Sequence, residues 1–153
     1  MKQVVKEDVI IHIITIDAIL NLSELLIFEL SVSGNKEVLQ ETKDMFSRLL
    51  EIAKKYQLVG LQVNTLLLQA QYEVIDGNLE TAFNLIDHAE ATAQDQGLTL
   101  LVEKVGNEKR NLEAEYEKWQ DLIQRNTSLQ ERLKHLRIEE YLKDAQEIVH
   151  LRR

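Results

Sequence analysis

Among the residue types in this sequence, histidine is the one best suited to binding a metal ion or transferring protons near neutral pH. The four histidines are His12, His88, His135 and His150, and no two of them lie three or four residues apart. A zinc site needs several ligands brought close together, as the His-Glu-x-x-His motif does on one helix. The histidines are therefore expected to be exposed or packed side chains, not metal ligands.

The carboxylates and the possible nucleophiles likewise form no recognisable catalytic or metal-binding motif. The spacing Glu-x-x-His occurs once, at Glu147 and His150, whereas a two-metal bundle site needs it on two helices together with two further glutamates. The chain has no cysteine, and its five glycines are isolated, so it has no phosphate-binding loop. The sequence thus predicts no catalytic residue, no metal site and no cofactor. A metal-dependent helical-bundle hydrolase remains an alternative that metal analysis of the purified protein would test.

The distribution of charge argues against nucleic acid as a partner. The net charge is −8, and residues 1–102 contain 7 basic and 15 acidic side chains. An acidic chain repels phosphate backbones unless it has a local basic patch. The nearest approach to such a patch contains Arg132, Lys134, Arg137 and Lys143, and neighbouring glutamates and an aspartate interrupt it. We therefore expect no binding to nucleic acid.

The segment from Val9 to Leu30 is apolar enough to suggest a membrane helix. Asp17, Glu24 and Glu29 lie inside it, and a membrane span of about 20 residues rarely contains three carboxylates. It also lacks the basic start and the cleavage site of a signal peptide. We interpret it as a buried helix of a soluble protein. The absence of cysteine fits a cytoplasmic location.

Composition predicts an all-α fold, because the chain has no proline and few glycines to end or turn its elements. Apolar residues recur at helical spacing between turn signals. Six helices are predicted, with approximate bounds 7–31, 36–56, 62–75, 79–94, 99–125 and 128–151. Gly60 lies in the predicted break before the third helix, and Ser128 with Glu131 forms a predicted capping box.

The sixth predicted helix contains a phase slip. Leu133 and Leu136 belong to one apolar stripe, whereas Ile138 and Leu142 belong to a second stripe that is displaced around the helix. A single straight helix presents one stripe to one surface. The helix is therefore expected to bend near Arg137 or to touch two different surfaces.

An internal repeat relates residues 44–58 to residues 84–98 at an offset of 40 residues, with apolar residues matched along both segments. Within the second helix pair, small residues recur around a tight turn, namely Ala70, Gly77, Ala82 and Ala89. Small side chains at these places let two antiparallel helices approach closely. A helix pair repeated at this spacing is typical of an α-solenoid.

This pattern resembles the tetratricopeptide (TPR) motif over about residues 35–125. Because the repeat is nearer 40 than 34 residues, the chain is most similar to the longer TPR-like repeats near the C-termini of archaeal and bacterial regulatory proteins. The resemblance implies antiparallel helix pairs stacked as a short α-solenoid, and a role in binding a partner protein. It also makes a fragment of a larger protein plausible. The expected division is a repeat domain over residues 1–125 and a C-terminal helix over residues 126–153 for capping or oligomerisation.

The functional prediction is a scaffold, adaptor or regulatory module that binds a protein partner without catalysis. The alternative is a homo-oligomerisation module of a larger signalling or transcription-regulatory protein. Terminal repeats normally have a polar outer face, and the first helix here has none, so a homodimer is expected. The predicted interface residues are Ile10, Ile14, Leu22, Leu26, Leu133, Leu136, Ile138 and Leu142.

Overall fold

A computed structural model describes the backbone of residues 2–136 and 138–150, with side chains from residue 11 onward except at Glu139 and His150. The described residues are helical and contain no strand, which confirms the all-α prediction. They form eight helices, not the six predicted. These are α1 Lys2–Ser33, α2 Lys36–Lys55, α3 Val59–Ile75, α4 Leu79–Asp95, α5 Thr99–Ala114, α6 Tyr116–Gln124, α7 Leu129–Leu133 and α8 Ile138–His150.

Glycine ends three of the first four helices. Gly34, Gly77 and Gly97 have φ angles of +62°, +89° and +65°, a left-handed conformation that costs glycine little. The turns predicted at these positions are therefore confirmed. The break predicted around Gly60 is shorter than expected, because Gln57 takes the left-handed conformation (φ +54°) and α3 already begins at Val59.

Two predicted helices are each divided. Glu115 has φ −98° and ψ 6°, outside helical geometry, and separates α5 from α6. The buried stripe changes there, since Trp119 and Leu122 are buried whereas Tyr116 is 38% exposed. The last predicted helix is divided between α7 and α8, next to the phase slip at Arg137, itself outside the described residues. The Ser128 hydroxyl accepts a hydrogen bond from the Glu131 amide at the start of α7, which confirms Ser128 as the N-cap of the predicted capping box.

Helix α3 lies at the centre of the molecule. It packs against α2 and α4 and, on a further side, against α8, and eleven of its residues are buried. The α3–α4 contact is the most extensive in the chain. Ala70 of α3 and Ala82 and Ala89 of α4 are all buried.

The C-terminal helix folds back over the first half of the chain. Helix α8 packs against α3 and α1, and α7 packs against α1. The apolar side of α8 is buried in this contact, from Ile138 at 2% exposure to Val149 at 3%. The described part of residues 126–153 therefore packs on α1 and α3.

Candidate interaction surface

One side of α1 is apolar and uncovered. Six of the eight large apolar side chains that are exposed among the described residues belong to this helix, at exposures of 40–69%. They are Ile11, Ile14, Leu22, Leu25, Phe28 and Val32. Soluble proteins seldom expose so many large apolar side chains side by side unless the surface binds something.

Five of the six exposed apolar positions lie on one heptad row, and Leu22 lies beside it. Counting from Ile11, steps of three and four residues alternate without a fault to Val32, through Ile14, Ala18, Asn21, Leu25 and Phe28. Every one of these seven side chains is exposed. We call this set the α1 seam. An a/d repeat of three heptads is the pattern that pairs one helix with another.

The remaining sides of α1 face the rest of the chain. Ile16, Leu20, Ser23, Ile27 and Leu30 are at most 5% exposed. On one side, the Tyr56 hydroxyl of α2 lies 3.0 Å from His12 Nε2, and the two rings are 4.3 Å apart. On another side, Glu24 accepts a hydrogen bond of 2.8 Å from Gln146 of α8. Because α2 and α8 hold the helix from two directions, the seam is displayed on a fixed support.

The C-terminal end of α1 is anchored by α7. The Gln130 amide donates to the carbonyl oxygens of Val32 at 2.5 Å and of Ser31 at 3.4 Å, which satisfies groups that a helix end leaves unpaired. Arg132, only 7% exposed, donates in the same way to the Ile75 carbonyl at the end of α3, at 2.9 Å. Helix α7 thus ties together the ends of α1 and α3.

A groove of about 420 Å³ opens beside the last heptad of the seam. Its apolar lining comes from Ile27 and Phe28 of α1 and from Leu133 and Leu136, at the end of α7 and just before α8. Lys134 and Glu140 lie at its polar edge. The groove therefore extends the apolar surface of the seam towards α7 and α8.

A polar cluster joins the two halves of the chain under α8. The ammonium group of Lys104 (α5) lies 2.8 Å from Asn64 Oδ1 (α3) and 2.9 Å from a carboxylate oxygen of Asp144 (α8). Asn64 is fully buried and donates to the backbone carbonyl of Tyr141 at 3.3 Å. These bonds satisfy a buried amide and fix the position of α8 on α3.

A second polar cluster joins α2 to the end of α3. Lys43 Nζ lies 2.8 Å from Glu73 and 2.9 Å from Asp76. Burial lowers the pKa of Lys43, but the two carboxylates outweigh it and the pKa is raised overall. Burial also raises the pKa of the neighbouring Tyr72 hydroxyl, against a smaller lowering by Thr42. Both clusters join helices to one another.

The histidines are dispersed. The His12 ring lies tilted against Tyr56, His88 is exposed, and the His135 ring lies edge-on to Trp119 at 6.1 Å. The side chain of His150 is outside the described residues. Among the residues whose positions are described, no group of three or more histidines and carboxylates is arranged to hold a metal ion.

The predicted interface residues fall into three groups. Ile14 and Leu22 lie on the uncovered side of α1, and Leu133 and Leu136 line the adjoining groove. The structure contradicts the expectation for Leu26, Ile138 and Leu142, which are 7%, 2% and 1% exposed because α1 and α8 bury them in the chain's own core. The Ile10 side chain lies outside the described residues.

Sequence reasoning missed most of the seam. Ile11, Leu25, Phe28 and Val32 are more exposed than Leu22 and complete the heptads. The signal that identifies them is the alternation of three- and four-residue steps. It is masked in the sequence because the buried sides of the same helix are equally apolar.

Helix α1 is also long and apolar enough over Ile11–Ser33 to cross a membrane, judged by length and composition alone.

Comparison with family models, with curated proteins and with solved structures finds no match to this chain.

Proposed function

We propose that this chain is a non-catalytic protein-interaction module whose binding surface is the α1 seam. The observation that carries the proposal is the row of exposed apolar side chains at heptad spacing from Ile11 to Val32. A helix that meets this row would bury apolar area along about 31 Å, at 1.5 Å per residue. The ligand class is therefore an amphipathic helix with its own a/d stripe.

The scaffold that holds the seam is a short TPR-like solenoid under this proposal. The 40-residue repeat, the succession of antiparallel neighbours from α1 to α5 and the small residues between α3 and α4 support it. In such a solenoid the first helices of successive pairs, α1 and α3, line one face. Helix α8 packs on both of them and so covers this face of the solenoid. The outer side of α1 is then the surface left for a partner.

A cytoplasmic module without a membrane role fits the charges of α1. The segment from residue 9 to residue 33 contains Asp17, Glu24 and Glu29 but no lysine or arginine. Helices that bind membrane surfaces combine an apolar face with basic flanks, which anionic lipids attract. The carboxylates beside the seam, Asp17, Glu24 and Glu29, instead favour a protein helix as the occupant.

A labelled peptide tests the proposal directly. The probe is a three-heptad amphipathic helix with leucine at the a and d positions and lysine beside them, measured by fluorescence anisotropy at nanomolar chain concentration. We expect saturable binding that Leu25→Glu with Phe28→Glu abolishes. Leu100→Glu is the matched control, since Leu100 is 83% exposed on α5 away from the seam and its change should leave affinity intact. Equal binding by all three proteins, or no binding by the unchanged chain, would overturn the proposal.

A further inference from the structure

We infer that the natural occupant of the α1 seam is the seam of a second copy, paired antiparallel about a two-fold axis near residue 23. The inference rests on the proposed function and names the partner for the same surface. Its starting point is that the seam is complementary to itself. The a and d side chains of one heptad stripe can insert between the side chains of an identical stripe on a second helix.

Side-chain size sets the register. In an antiparallel pair each a position packs against a d position of the other helix. The register centred on residue 23 places Phe28, the largest seam residue, against Ala18, the smallest, and does so twice by symmetry. It also places Ile14 against Val32 and Asn21 against Leu25. Alternation of large and small side chains across a contact lets the two surfaces interdigitate.

Charge sets the direction. In a parallel pair, the residue at each g position lies beside the e position five residues later on the other helix, which brings Glu24 next to Glu29 on both sides. Such like-charge contacts disfavour an orientation. The antiparallel register places Glu29 beside Thr15 and Leu22 beside its own copy, and it has one like-charge contact, Glu24 beside the partner's Glu24, in place of two. Glu24 keeps its hydrogen bond to Gln146 on α8.

The groove at the end of the seam adds to the contact. Phe28 forms one of its walls, next to Leu133 and Leu136, so a side chain from the N-terminal half of the partner's α1 would enter it. The two symmetric copies of the groove would lie at the two ends of the paired seams. The sequence-based prediction of a homodimer is thereby placed on a specific surface, with the α8 residues excluded.

Cysteine cross-linking tests the arrangement, because the chain has no cysteine of its own. The double variant Ala18→Cys with Phe28→Cys should form a disulfide-linked dimer on mild oxidation. The two positions are about 15 Å apart within one helix, too far for a bond inside a chain, whereas the proposed register brings them together between chains. Ile14→Cys with Val32→Cys should behave in the same way. Each single variant is the matched control, and it should stay unlinked.

Light scattering on the unchanged protein gives the second measurement. The mass should be near twice the 17.8 kDa of the chain at micromolar concentration, and Leu25→Glu should reduce it to one chain without altering the circular dichroism spectrum. Leu100→Glu should remain a dimer. A monomer at this concentration overturns the inference, and efficient linkage of Ala18→Cys alone overturns the antiparallel direction. A monomer that still binds the amphipathic probe would leave the proposed function standing, whereas loss of both would overturn the two together.

Discussion

At the scale of single residues, the small side chains of α3 and α4 that the sequence singles out are buried. Ala70 is 1% exposed, and Ala82 and Ala89 are fully buried, between α3 and α4. Ala82→Leu should destabilise the fold by about 1–3 kcal/mol, because a larger side chain must displace well-packed neighbours. Thermal unfolding measures the loss. Thr81→Leu, one residue away and exposed, is the control and should change stability little, so equal effects would show that the α3–α4 register differs from this one.

The Lys43 cluster makes stability depend on pH in the alkaline range. Its pKa is raised from 10.5 in the folded chain, since the attraction of Glu73 and Asp76 exceeds the effect of burial. A group whose folded pKa is raised contributes stability that is complete below the unfolded pKa and is lost as pH rises through the folded pKa. Stability should therefore fall above about pH 10.5.

Lys43→Met removes that contribution. It should cost about 2 kcal/mol near neutral pH, because the hydrogen bonds to two carboxylates are lost. It should also flatten the dependence of the free energy of unfolding between about pH 10 and 12, measured by urea denaturation. Lys36→Met, on an exposed position of the same helix, is the control and should leave the alkaline profile unchanged. A profile that Lys43→Met leaves unaltered would contradict the role given to this cluster.

At the scale of elements, α8 is held by burial along one side and by the bonds of Asn64 and Lys104. Ala145, on the packed side of this helix, is fully buried. Ala145→Glu would bury a carboxylate without a partner, which is costly enough to release the helix from α1 and α3. Hydrogen exchange should show loss of protection over α8, with protection retained in α2 and α4.

The matched change on the exposed side of α8 is Lys143→Glu. It alters charge without burying it, so exchange over α8 should stay slow. If Ala145→Glu left α8 protected, the packing of this helix on the repeat would be wrong. If it abolished protection throughout the chain, α8 would be required for the fold of the whole molecule.

At the scale of the whole molecule, association should make the melting temperature depend on concentration. A dimer that forms only from folded chains is stabilised by mass action. The melting temperature of the unchanged chain should therefore rise when its concentration is increased about a hundredfold from the micromolar range. Leu25→Glu should show no such rise. Differential scanning fluorimetry across that range measures both. A melting temperature independent of concentration in both proteins would contradict self-association.

The absence of metal chemistry is the second expectation at this scale. The described histidines and carboxylates form no cluster of three, and the clusters around Lys43 and Lys104 join helices. Elemental analysis of the purified protein should find no stoichiometric transition metal, and a chelator should leave the melting temperature unchanged. One zinc or two irons per chain would contradict this and restore the hydrolase alternative.

The sequence by itself determined the helical class, most of the helix ends and the small buried residues of α3 and α4. These features are local, because periodicity, glycine turns and the Ser128 cap act within a few residues of one another. The phase slip at Arg137 likewise marked the division between α7 and α8, although the sequence predicted six helices where the described residues form eight. Glu115 carried no such signal, and the division between α5 and α6 was missed.

Only the tertiary structure decided which side of α1 is free. The helix is apolar nearly all round, so its sequence does not tell a side that α2 or α8 covers from a side that water reaches. The return of α8 over α1 and α3 involves contacts more than a hundred residues apart, such as Gln146 with Glu24, which no local pattern specifies. That return buries Ile138 and Leu142 and leaves the seam from Ile11 to Val32 as the uncovered apolar row of this helix.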